Sequence, residues 1–497
     1  MLYTLNNLIW NKIGVFALGL TGVFTTFALK FFQLRYFNLW CTDTIKNVFK
    51  KENGYNKKDK SAISPFQSMC TSLGATIGVG NIVGVASAIY VGGPGAVFWM
   101  WIAAVFGMMT GYCENVLGIY YRRKNYEGDW CGGAMYYLED GVGSKKGLRR
   151  CGKILALLYA FSTLLASFGI GSMGQINKIV INLKGAFPMP NLERMIIVGN
   201  TNVYSLVIGV IIFLIAATVV IGGVKRLASV TEKLVPFMVC FFLLGSFVVI
   251  FNNYQNIFPA LKAVFLSAFN VKAGCGGTVG IAFSQGFKRG VFSNEAGMGS
   301  SVIIHSNSST KEPAVQGMYT MFEIFTDTIV MCTVTALVVL TSGVYDLSSG
   351  KITGEESTIV AESFNSVFKI ADFGQKFVAI SIFMFAFSSV LGWNHYGSKS
   401  WEYLFGSKTV FFYKLIPLAS IIPGALLSSS SAWDISDIFN GLMIIPNLIG
   451  VILLFGTLRL CDNQHKRVIS TTADFSIKRP LQQSCSALSE PNVVVVW

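Results

Sequence analysis

Residues 71–86 read Thr-Ser-Leu-Gly-Ala-Thr-Ile-Gly-Val-Gly-Asn-Ile-Val-Gly-Val-Ala. The stretch is apolar enough to lie in a lipid bilayer, yet four glycines surround Asn81 within it. Each glycine weakens a helix by roughly 1 kcal/mol relative to alanine, and an unpaired backbone amide in hydrocarbon costs several kcal/mol. A helix that breaks here must therefore give its freed backbone groups other partners. We predict that these partners are a solute and an ion, as at other interrupted membrane helices.

The composition indicates a membrane protein with many spans. Of 497 residues, 53% are hydrophobic and 13% are charged. Because a helix needs about 20 apolar residues to cross the hydrocarbon core, runs of that length mark candidate spans. Such runs lie near residues 13–32, 64–90, 94–121, 152–182, 203–221, 233–251, 316–341, 377–396, 409–428 and 437–457. A further, less regular crossing is expected within 257–304, so the predicted fold is an all-α polytopic membrane protein with about 11 transmembrane helices.

Positive charge predicts the orientation of the chain. Basic residues are concentrated in 46–60 and in 122–150, and both loops should be cytoplasmic. The loop 342–374 is acidic and is expected outside. With about eleven crossings, this places the N-terminus outside and the C-terminus in the cytoplasm. The net charge of +14 then reflects membrane topology rather than nucleic-acid binding.

Other features of the chain suggest no metal or disulfide chemistry. The ten cysteines are scattered, mostly in predicted helices, and show no paired spacing. We interpret them as small packing residues. Residues 131–140 suggest a short interfacial element. The tail 461–497 is polar and lacks helical periodicity, so it is predicted to be cytoplasmic and disordered.

An internal repeat is indicated by two similar glycine-rich strings. Gly-Ala-Thr-Ile-Gly-Val-Gly at 74–80 is echoed by Gly-Gly-Thr-Val-Gly-Ile-Ala at 276–282. Five predicted helices separate the starts of the two strings, and an odd number of crossings inverts the second half relative to the first. The second break is therefore predicted at 274–280. The predicted segments are an extra N-terminal helix and basic loop (1–63), a first repeat (64–252), a second repeat (253–460) and the tail (461–497).

Several strings resemble the alanine/glycine:cation symporter family. They are residues 74–88, Gly-Gly-Pro-Gly-Ala-Val-Phe-Trp-Met-Trp at 92–101, Phe-Lys-Arg-Gly-Val-Phe-Ser-Asn-Glu-Ala-Gly-Met-Gly-Ser at 287–300, and Leu-Gly-Trp at 391–393. The likeness runs in order from about residue 12 to 460. The chain departs from the family pattern at Val79, usually Thr, at Ala134, usually Pro, and at Ser301-Val302, usually Ala-Pro. The first departure removes a hydroxyl beside the expected binding site.

The resemblance implies a fold and an activity. The fold is a leucine-transporter-type 5+5 inverted repeat preceded by one extra helix. The activity is secondary active transport by alternating access, in which Na⁺ drives the uptake of a small neutral amino acid such as alanine, glycine or serine. The implied setting is a bacterial inner membrane, with Na⁺ as the coupling ion, no organic cofactor and no obligate protein partner.

The predicted binding site lies at the two breaks. Amides freed at the first break are expected to receive the substrate carboxylate. The carbonyls of Ala75 and Gly78 are expected to face the cation, because Na⁺ favours oxygen ligands. The substrate-binding residues predicted at the breaks are Thr76, Gly78, Gly80, Asn81, Gly276, Gly277 and Thr278.

Side chains of other helices are expected to complete the site. Gln175 lies deep in an apolar run, where its amide needs a partner, and the family resemblance implies that it touches the substrate. The resemblance also implies that Trp393 walls the pocket, and we expect Phe283 to form a second wall. Ser388 and Ser389 are predicted to complete the Na⁺ shell with carbonyls of the first break.

Charged residues inside the apolar runs are candidates for a gate or an ion path. Lys288 and Arg289 follow the predicted second break by about ten residues, or ~15 Å of helix, and should reach the cytoplasmic interface. Glu323 and Asp327 share one helix face at i, i+4. The predicted gate and ion-path residues are Glu114, Arg289, Glu295 and Asp327.

Three other functions compete with a Na⁺ symporter. A proton-coupled amino-acid symporter would use Glu114 or Asp327 as the proton carrier. A channel would not need two breaks that meet within the membrane. An intramembrane enzyme needs a catalytic set of residues, and the three histidines, His305, His395 and His465, fall in no such pattern. We therefore expect a transporter rather than an enzyme.

Overall fold

The computed structural model describes residues 6, 8–49, 62–198, 201–269, 277–347, 349–356, 358–368, 370, 372–426 and 437–474. In this part of the chain, 7 helices are long and apolar enough to cross a membrane, and one further pair is bent by 61° at Leu454. The helices at both ends of the first break are shorter than a full span. The exact number of crossings, about eleven, stays a prediction.

The described residues of the first half form eleven α-helices. They are α1 (Val15–Ala28), α2 (Phe32–Arg35), α3 (Phe37–Phe49), α4 (Pro65–Thr76), α5 (Val83–Gly92), α6 (Gly95–Tyr120), α7 (Ala134–Tyr136), α8 (Arg149–Phe168), α9 (Gln175–Ala186), α10 (Pro190–Arg194) and α11 (Val203–Val220). Two small hairpins pair β1 (Arg123–Lys124) with β2 (Trp130–Cys131) and β3 (Ile196–Val198) with β4 (Thr201–Asn202). Leu8–Gly14, Tyr137–Val142 and Gly169–Gly174 are π-helical, and Val79–Asn81 is a 3₁₀ turn.

The second half follows with α12 (Gly223–Asn252), α13 (Ile257–Ala268), α14 (Gly277–Asn294), α15 (Ser301–His305), α16 (Pro313–Ile324), α17 (Thr333–Thr341), α18 (Ile359–Asn365), α19 (Phe373–Phe405), α20 (Val410–Leu426), α21 (Asp437–Leu453) and α22 (Phe455–Asp474). A π-helical segment, Phe325–Cys332, joins α16 to α17. Tyr254–Asn256 and Ser407–Thr409 are 3₁₀ turns.

The first helix break lies where the glycines predict it. Helix α4 starts at a capping box in which Ser64 and Gln67 bond each other's backbone N–H groups, with Pro65 at the first helical position. The helix ends at Thr76, because Ile77 and Gly78 are extended. The Gly78 N–H then donates to Asn81 Oδ1 at 3.0 Å. Asn81, which lies inside the break, therefore accepts a hydrogen bond from one of the backbone N–H groups that the break leaves without a helical partner.

The prediction of a second break at 274–280 is wrong for 277–280, the described part of that range, which is helical. Residues 270–276, including Gly276, lie outside the described residues, but α14 runs without interruption from Gly277 to Asn294. The chain leaves helical geometry after it, where Glu295 has a φ of 55° and Gly297 and Gly299 have φ of 90° and 72°. The similar strings at 74–80 and 276–282 are thus not equivalent positions of the two breaks.

The two broken helices lie side by side in opposite directions. Helix α5, which follows the first break, packs against α14, which precedes the second. Helix α4, which precedes the first break, packs against the short α15, which follows the second. Gly80 is close enough to α14 that an added Cβ would lie 3.7 Å from the Ser293 Cα. The breaks therefore meet in the interior. This crossing is the arrangement expected of inverted repeats, although the repeat boundaries themselves stay a prediction.

One further prediction is corrected at the C-terminus. Residues 461–474, expected to begin a disordered tail, continue α22 as a helix. Cys461 and Asp462 are buried against the bundle. Residues 475–497 lie outside the described residues. The predicted interfacial element at 131–140 corresponds to β2, α7 and the first part of the π-helical segment that follows.

Candidate functional site

Asp327 joins the two breaks. Its carboxylate accepts hydrogen bonds from Asn81 Nδ2 at 2.8 Å, from Ser293 Oγ at 2.7 Å and from Thr328 Oγ1 at 2.8 Å. Asn81 belongs to the first break, and Ser293 lies in the last turn of the helix before the second. Asn81 Nδ2 also donates to Ser293 Oγ at 2.9 Å. Asn81 therefore holds the breaks together through its amide, rather than pointing a free amide at a ligand.

Two polar residues converge on Gly78 from separate helices. An added Cβ at Gly78 would lie 2.8 Å from Ser389 Oγ on α19 and 3.4 Å from Gln175 Nε2 on α9. Only glycine fits between them. Ser389 Oγ donates to the Gly74 carbonyl at 3.3 Å, so α19 is tied to the last turn of α4. The predicted cluster of first break, Gln175 and Ser389 is brought together in the structure.

Gln175 carries an unused acceptor into this cluster. Its Oε1 is buried and has no hydrogen-bond partner among the described residues. A buried amide oxygen without a partner costs free energy, and such atoms often mark a ligand or water site. Gln175 follows a π-helical segment, Gly169–Gly174, a feature that is frequent at functional sites.

The other residues predicted at the first break have more limited roles. Thr76 Oγ1 donates to carbonyls of its own helix at 3.3 Å. Ala75 packs so closely on α19 that an added Cβ at Gly392 would lie 2.6 Å from the Ala75 Cβ. Ser388 lies beside Gly74, but its hydroxyl donates to the Phe385 carbonyl at 2.8 Å and contacts Met238 Sδ at 3.6 Å. Of the two serines, only Ser389 bonds the first break.

Trp393 lies against the second break. Its Nε1 donates to Glu295 Oε1 at 3.0 Å, while Ser300 Oγ donates to Glu295 Oε2 at 2.5 Å. The ring is fully buried and packs on Gly171, where an added Cβ would lie 2.4 Å from the Trp393 Cβ. The tryptophan thus links the helix that carries Ser389 to the helix segment that precedes Gln175. Glu295 is buried and accepts hydrogen bonds from both Trp393 and Ser300.

Glu114 accepts a hydrogen bond from an asparagine rather than from a basic residue. Asn447 Nδ2 donates to Glu114 Oε1 and to the Gly297 carbonyl, the second at 2.8 Å. Tyr137 OH donates to Asn447 Oδ1. Glu114 also lines a cavity of about 10 Å³, close to the smallest space that holds a water molecule. The other polar residues around this cavity are Thr76, Asn294, Ser301, Thr320, Glu323 and Asp327.

Lys288 and Arg289 do not lie where the sequence predicts them. Because α14 begins beside the α5–α6 turn and ends at the second break, both residues belong to the half of the bundle opposite the 122–150 segment. Lys288 pairs with Asp437 at 3.1 Å. Arg289 lies along α5, where it donates to Ser87 Oγ at 3.4 Å, and its Nε has no partner among the described residues.

Phe283 is separated from Trp393 in the structure. Its ring packs edge to face on Trp99 at 5.0 Å and contacts Phe287 at 5.7 Å, at the interface of α14 with α6. Gly277 and Thr278 open α14, far along the helix from the break at Glu295. These residues are not brought together with Asn81 and Gln175.

The basic loop 122–150 forms a polar network in the half of the bundle that does not contain Lys288 and Arg289. The Arg122 guanidinium donates to the carbonyls of Ser306, Ser308 and Thr310, which follow α15. Glu139 pairs with Lys153 at 2.5 Å and with Arg123 at 3.1 Å. Burial opposes the charged form of Glu139, but hydrogen bonds from Lys153 and Tyr403 and the nearby cations lower its pKa. This network fastens the short half of the second broken helix to its surroundings.

Ser293 and Asn447 belong to the site, and His305 lies next to it through Glu323, although the sequence pattern does not predict them as site residues. Ser293 stands in the Ser-Asn-Glu-Ala-Gly string, whose polar residues and positive-φ glycine mark the break. Asn447 and His305 each give the signal of a polar residue in an apolar run. In the described part of the chain, no group of three His, Cys, Asp or Glu side chains is placed to hold a metal.

Comparisons with known proteins give a consistent result. A family model described as the sodium:alanine symporter family matches residues 1–476. The sodium/alanine symporter AgcS of Methanococcus maripaludis is 39% identical over 454 residues, covering 91% of this chain and 94% of the relative. The probable sodium/glutamine symporter GlnT of Bacillus subtilis is 35% identical over 452 residues, covering 90% and 87%. The crystal structure of MhsT with L-phenylalanine aligns with a TM-score of 0.51 and 15% identity over 77% of this chain and 88% of MhsT.

Proposed function

The chain belongs to the sodium:alanine symporter family, and from this premise we propose that it couples the uptake of a small neutral amino acid to Na⁺ by alternating access. The chain is a membrane transporter of a known transporter fold. The single observation that carries the finer proposal is the convergence of Ser389, Gln175 and the first break on Gly78. We propose a bacterial inner membrane as its location, with the N-terminus outside and the C-terminus in the cytoplasm.

The proposed substrate site is the space around Gly78. Gln175 Oε1 is a free buried acceptor that would lie 3.5 Å from a Cβ added at Gly78, and a substrate ammonium is the donor that fits it. Backbone at Gly78 and Gly80 is close enough to a ligand for direct contact, because neither residue has a side chain. The walls of this space are buried helices, so a small side chain is favoured over a large one. Alanine, glycine and serine satisfy these conditions.

The proposed Na⁺ site lies between the first break and α19. Ser389 Oγ and the Gly74 carbonyl already face each other across this interface at 3.3 Å. A cation that enters here would be bound by the hydroxyl oxygen together with carbonyls from Gly74 to Gly78, which include the last turn of α4 and the start of the break. Ser388 lies beside Ser389 on α19, but its hydroxyl donates to the Phe385 carbonyl at 2.8 Å, so we propose Ser389 rather than Ser388 as the ligand. Hydroxyl and carbonyl oxygens suit a hard monovalent cation.

A proton-coupled mechanism has one observation in its favour. Buried carboxylates of Glu114, Glu323 and Asp327 line one small cavity next to Thr76. Protons carried by these groups would replace Na⁺ as the driving ion. Na⁺ and proton gradients imposed separately distinguish the two mechanisms.

Uptake of radiolabelled alanine into proteoliposomes tests the proposal. We expect uptake with an inward Na⁺ gradient and at most a few per cent of that rate with an equal K⁺ gradient. A proton gradient in Na⁺-free buffer that drives uptake at the Na⁺-driven rate would overturn the Na⁺ assignment. Gln175→Leu should raise the KM for alanine at least tenfold while the protein stays folded, because the lost oxygen has no partner among the described residues.

A further inference from the structure

One buried ion pair lies apart from the proposed substrate and Na⁺ sites. His305 is the last residue of α15, and Glu323 lies in α16. Their Nε2 and Oε1 atoms are 2.8 Å apart, and the two side chains are 0% and 5% exposed. Neither atom has another hydrogen-bond partner among the described residues. The two atoms therefore depend on each other.

The second nitrogen of His305 is already occupied. The Gln316 amide contacts His305 Nδ1 and also donates to Ser68 Oγ at 3.1 Å on α4. This contact orients the imidazole so that Nε2 faces the Glu323 carboxylate. The arrangement joins three helices, because Ser68 belongs to α4, His305 to α15, and Gln316 and Glu323 to α16.

Burial sets the number of protons that the pair holds. With one proton the pair is neutral overall, as an imidazolium with a carboxylate or as a neutral imidazole with a carboxylic acid. Loss of that proton leaves an uncompensated buried carboxylate, and gain of another leaves an uncompensated buried cation. Both states are strongly disfavoured away from water. The docked pair therefore keeps one proton over a wide pH range.

We propose that His305 and Glu323 form a proton-binding site that holds one proton while α15 is docked on α16 and releases it to water when the two separate. The inference deepens the proposed function, and it rests on that function only for the movement of α15 during transport. Helix α15 is well placed for such movement, because it is five residues long and follows the second break directly. Glu323 also lines the cavity next to Thr76, which gives the proton a polar exit.

Linkage gives the sign of the pH dependence. In water, histidine titrates near pH 6.5 and glutamate near 4.3. Above about pH 6.5 the separated pair binds almost no proton and the docked pair binds one. Each unit of pH increase therefore raises the ratio of separated to docked protein by up to tenfold. Between about pH 4.5 and 6.5 both states hold one proton, so the dependence vanishes.

Other titratable groups around the pair do not produce this pattern. Cys70 on α4 and Tyr396 on α19 face Glu323, but thiols and phenols titrate above pH 8 in water. Asp327 and Glu114, across the cavity, already accept hydrogen bonds from Asn81 and Asn447. The other group that could titrate in this pH range is His395 on α19, whose Nε2 lies 3.5 Å from Asn307 Nδ2. Its substitution supplies the control.

Hydrogen exchange of the full chain in lipid nanodiscs tests the site without relying on transport. Amide exchange in 301–312, corrected for the intrinsic pH effect with the amides of α11, reports how often α15 separates. We expect corrected exchange to rise up to tenfold per pH unit between pH 6.5 and 8.5 in the wild type and in His395→Gln. Glu323→Gln, which keeps a hydrogen-bonding group, should reduce the rise to less than twofold. His305→Gln leaves Glu323 as a buried carboxylic acid when docked, so the rise should persist and extend below pH 6.5.

Contrary results are clearly distinguishable. A wild-type exchange rate that is flat above pH 6.5, or a slope that survives in Glu323→Gln, would overturn the proton site. Loss of the slope in His395→Gln alone would move the site to that histidine and overturn it as well. Na⁺-driven alanine uptake is measured in parallel on the same variants. If exchange behaves as expected and no Na⁺-driven uptake occurs, the proposed function fails while the proton site stands.

Discussion

At the scale of single residues, the two serines of α19 differ although they are adjacent. Ser389 bonds the Gly74 carbonyl at the first break, whereas Ser388 is turned toward Phe385 and Met238. We expect Ser389→Ala to raise the Na⁺ concentration for half-maximal uptake about tenfold, because it removes a proposed ligand oxygen. Ser388→Ala is the matched control and should change it less than threefold. Equal effects of the two substitutions on Na⁺ dependence would contradict the assignment.

The hydrogen bond of Trp393 to Glu295 gives a second residue-level prediction. Trp393→Phe keeps most of the ring but removes the N–H that faces a buried carboxylate. A hydrogen bond to a charged group is worth about 2 kcal/mol, so we expect a clear loss of thermal stability and of uptake. Trp401→Phe on the same helix removes a comparable bond to Thr409 outside the site.

A double-mutant cycle checks that this effect belongs to the pair. The loss in Trp393→Phe should shrink when it is introduced into Glu295→Gln, because the carboxylate is then already absent. Independent, additive effects of the two substitutions would show that the hydrogen bond is not the cause. Trp401→Phe should remain additive with Glu295→Gln.

Single residues also show what the sequence can and cannot predict. Gln175 and Asn81 are recognisable because an amide in an apolar run must find a partner, and that rule needs no tertiary information. The partner itself is not predictable. Asn81 bonds Asp327, which lies 246 residues away, and no local pattern links the two positions. His305 escapes sequence reasoning for the same cause, since its importance depends on Glu323.

At the scale of elements, the first break was predicted correctly and the second was placed about 20 residues too early in the chain. Both regions are rich in glycine, so glycine alone does not distinguish them. Gly277 and Gly280 are accommodated inside α14. The second break instead uses positive φ angles at Glu295, Gly297 and Gly299, and a glutamate in that conformation has no clear sequence signature.

The corrected break gives the Lys288 and Asp437 pair a structural role that links elements. It connects α14 to α21, and Asn6 and Trp10 of the N-terminal segment bond Asp437 as well. In the predicted orientation this contact lies in the extracellular half. Both side chains are mostly buried, so removing one leaves a charge with fewer partners.

Charge removal at this contact should be strongly non-additive. We expect Lys288→Met or Asp437→Asn alone to destabilise the protein by about 3 kcal/mol, because a buried charge loses its counterion. The double variant, in which neither charge remains, should be closer to the wild type than either single variant. Thermal unfolding in detergent measures all three. A double variant with the summed loss of the single variants would show that the two residues do not stabilise each other.

At the scale of the whole molecule, composition and apolar runs were sufficient for the all-α fold class, and MhsT is a solved structure of similar fold. These patterns did not settle the number of crossings, because broken and bent helices are shorter than the roughly 20 residues expected of a single span. The tail was partly mispredicted. Residues 461–474 form a helix because Cys461 and Asp462 are buried against the bundle, and that contact is invisible in a local window.

The compact interior predicts strict selection by size. Around Gly78, a single added carbon would already approach Ser389 Oγ to 2.8 Å. A substrate with a large side chain must displace closely packed helices, which is costly. We expect unlabelled alanine, glycine or serine to compete with labelled alanine at least tenfold better than leucine. Leucine competition as strong as that of alanine would contradict a small pocket.

The last prediction concerns coupling across the whole transporter. Symport requires that Na⁺ and the amino acid bind better together than alone, and this coupling is reciprocal in binding free energy. In the proposed arrangement both ligands use the first break, so one ligand orders backbone that the other needs. We expect saturating Na⁺ to tighten alanine binding by about tenfold, within the usual 5–150-fold range of such couplings, and saturating alanine to tighten Na⁺ binding by the same factor. Equilibrium binding to purified protein measures both factors, with K⁺ as the control cation. Alanine binding that is equal in Na⁺ and in K⁺ would show that the two sites are not coupled, and would place the driving ion elsewhere.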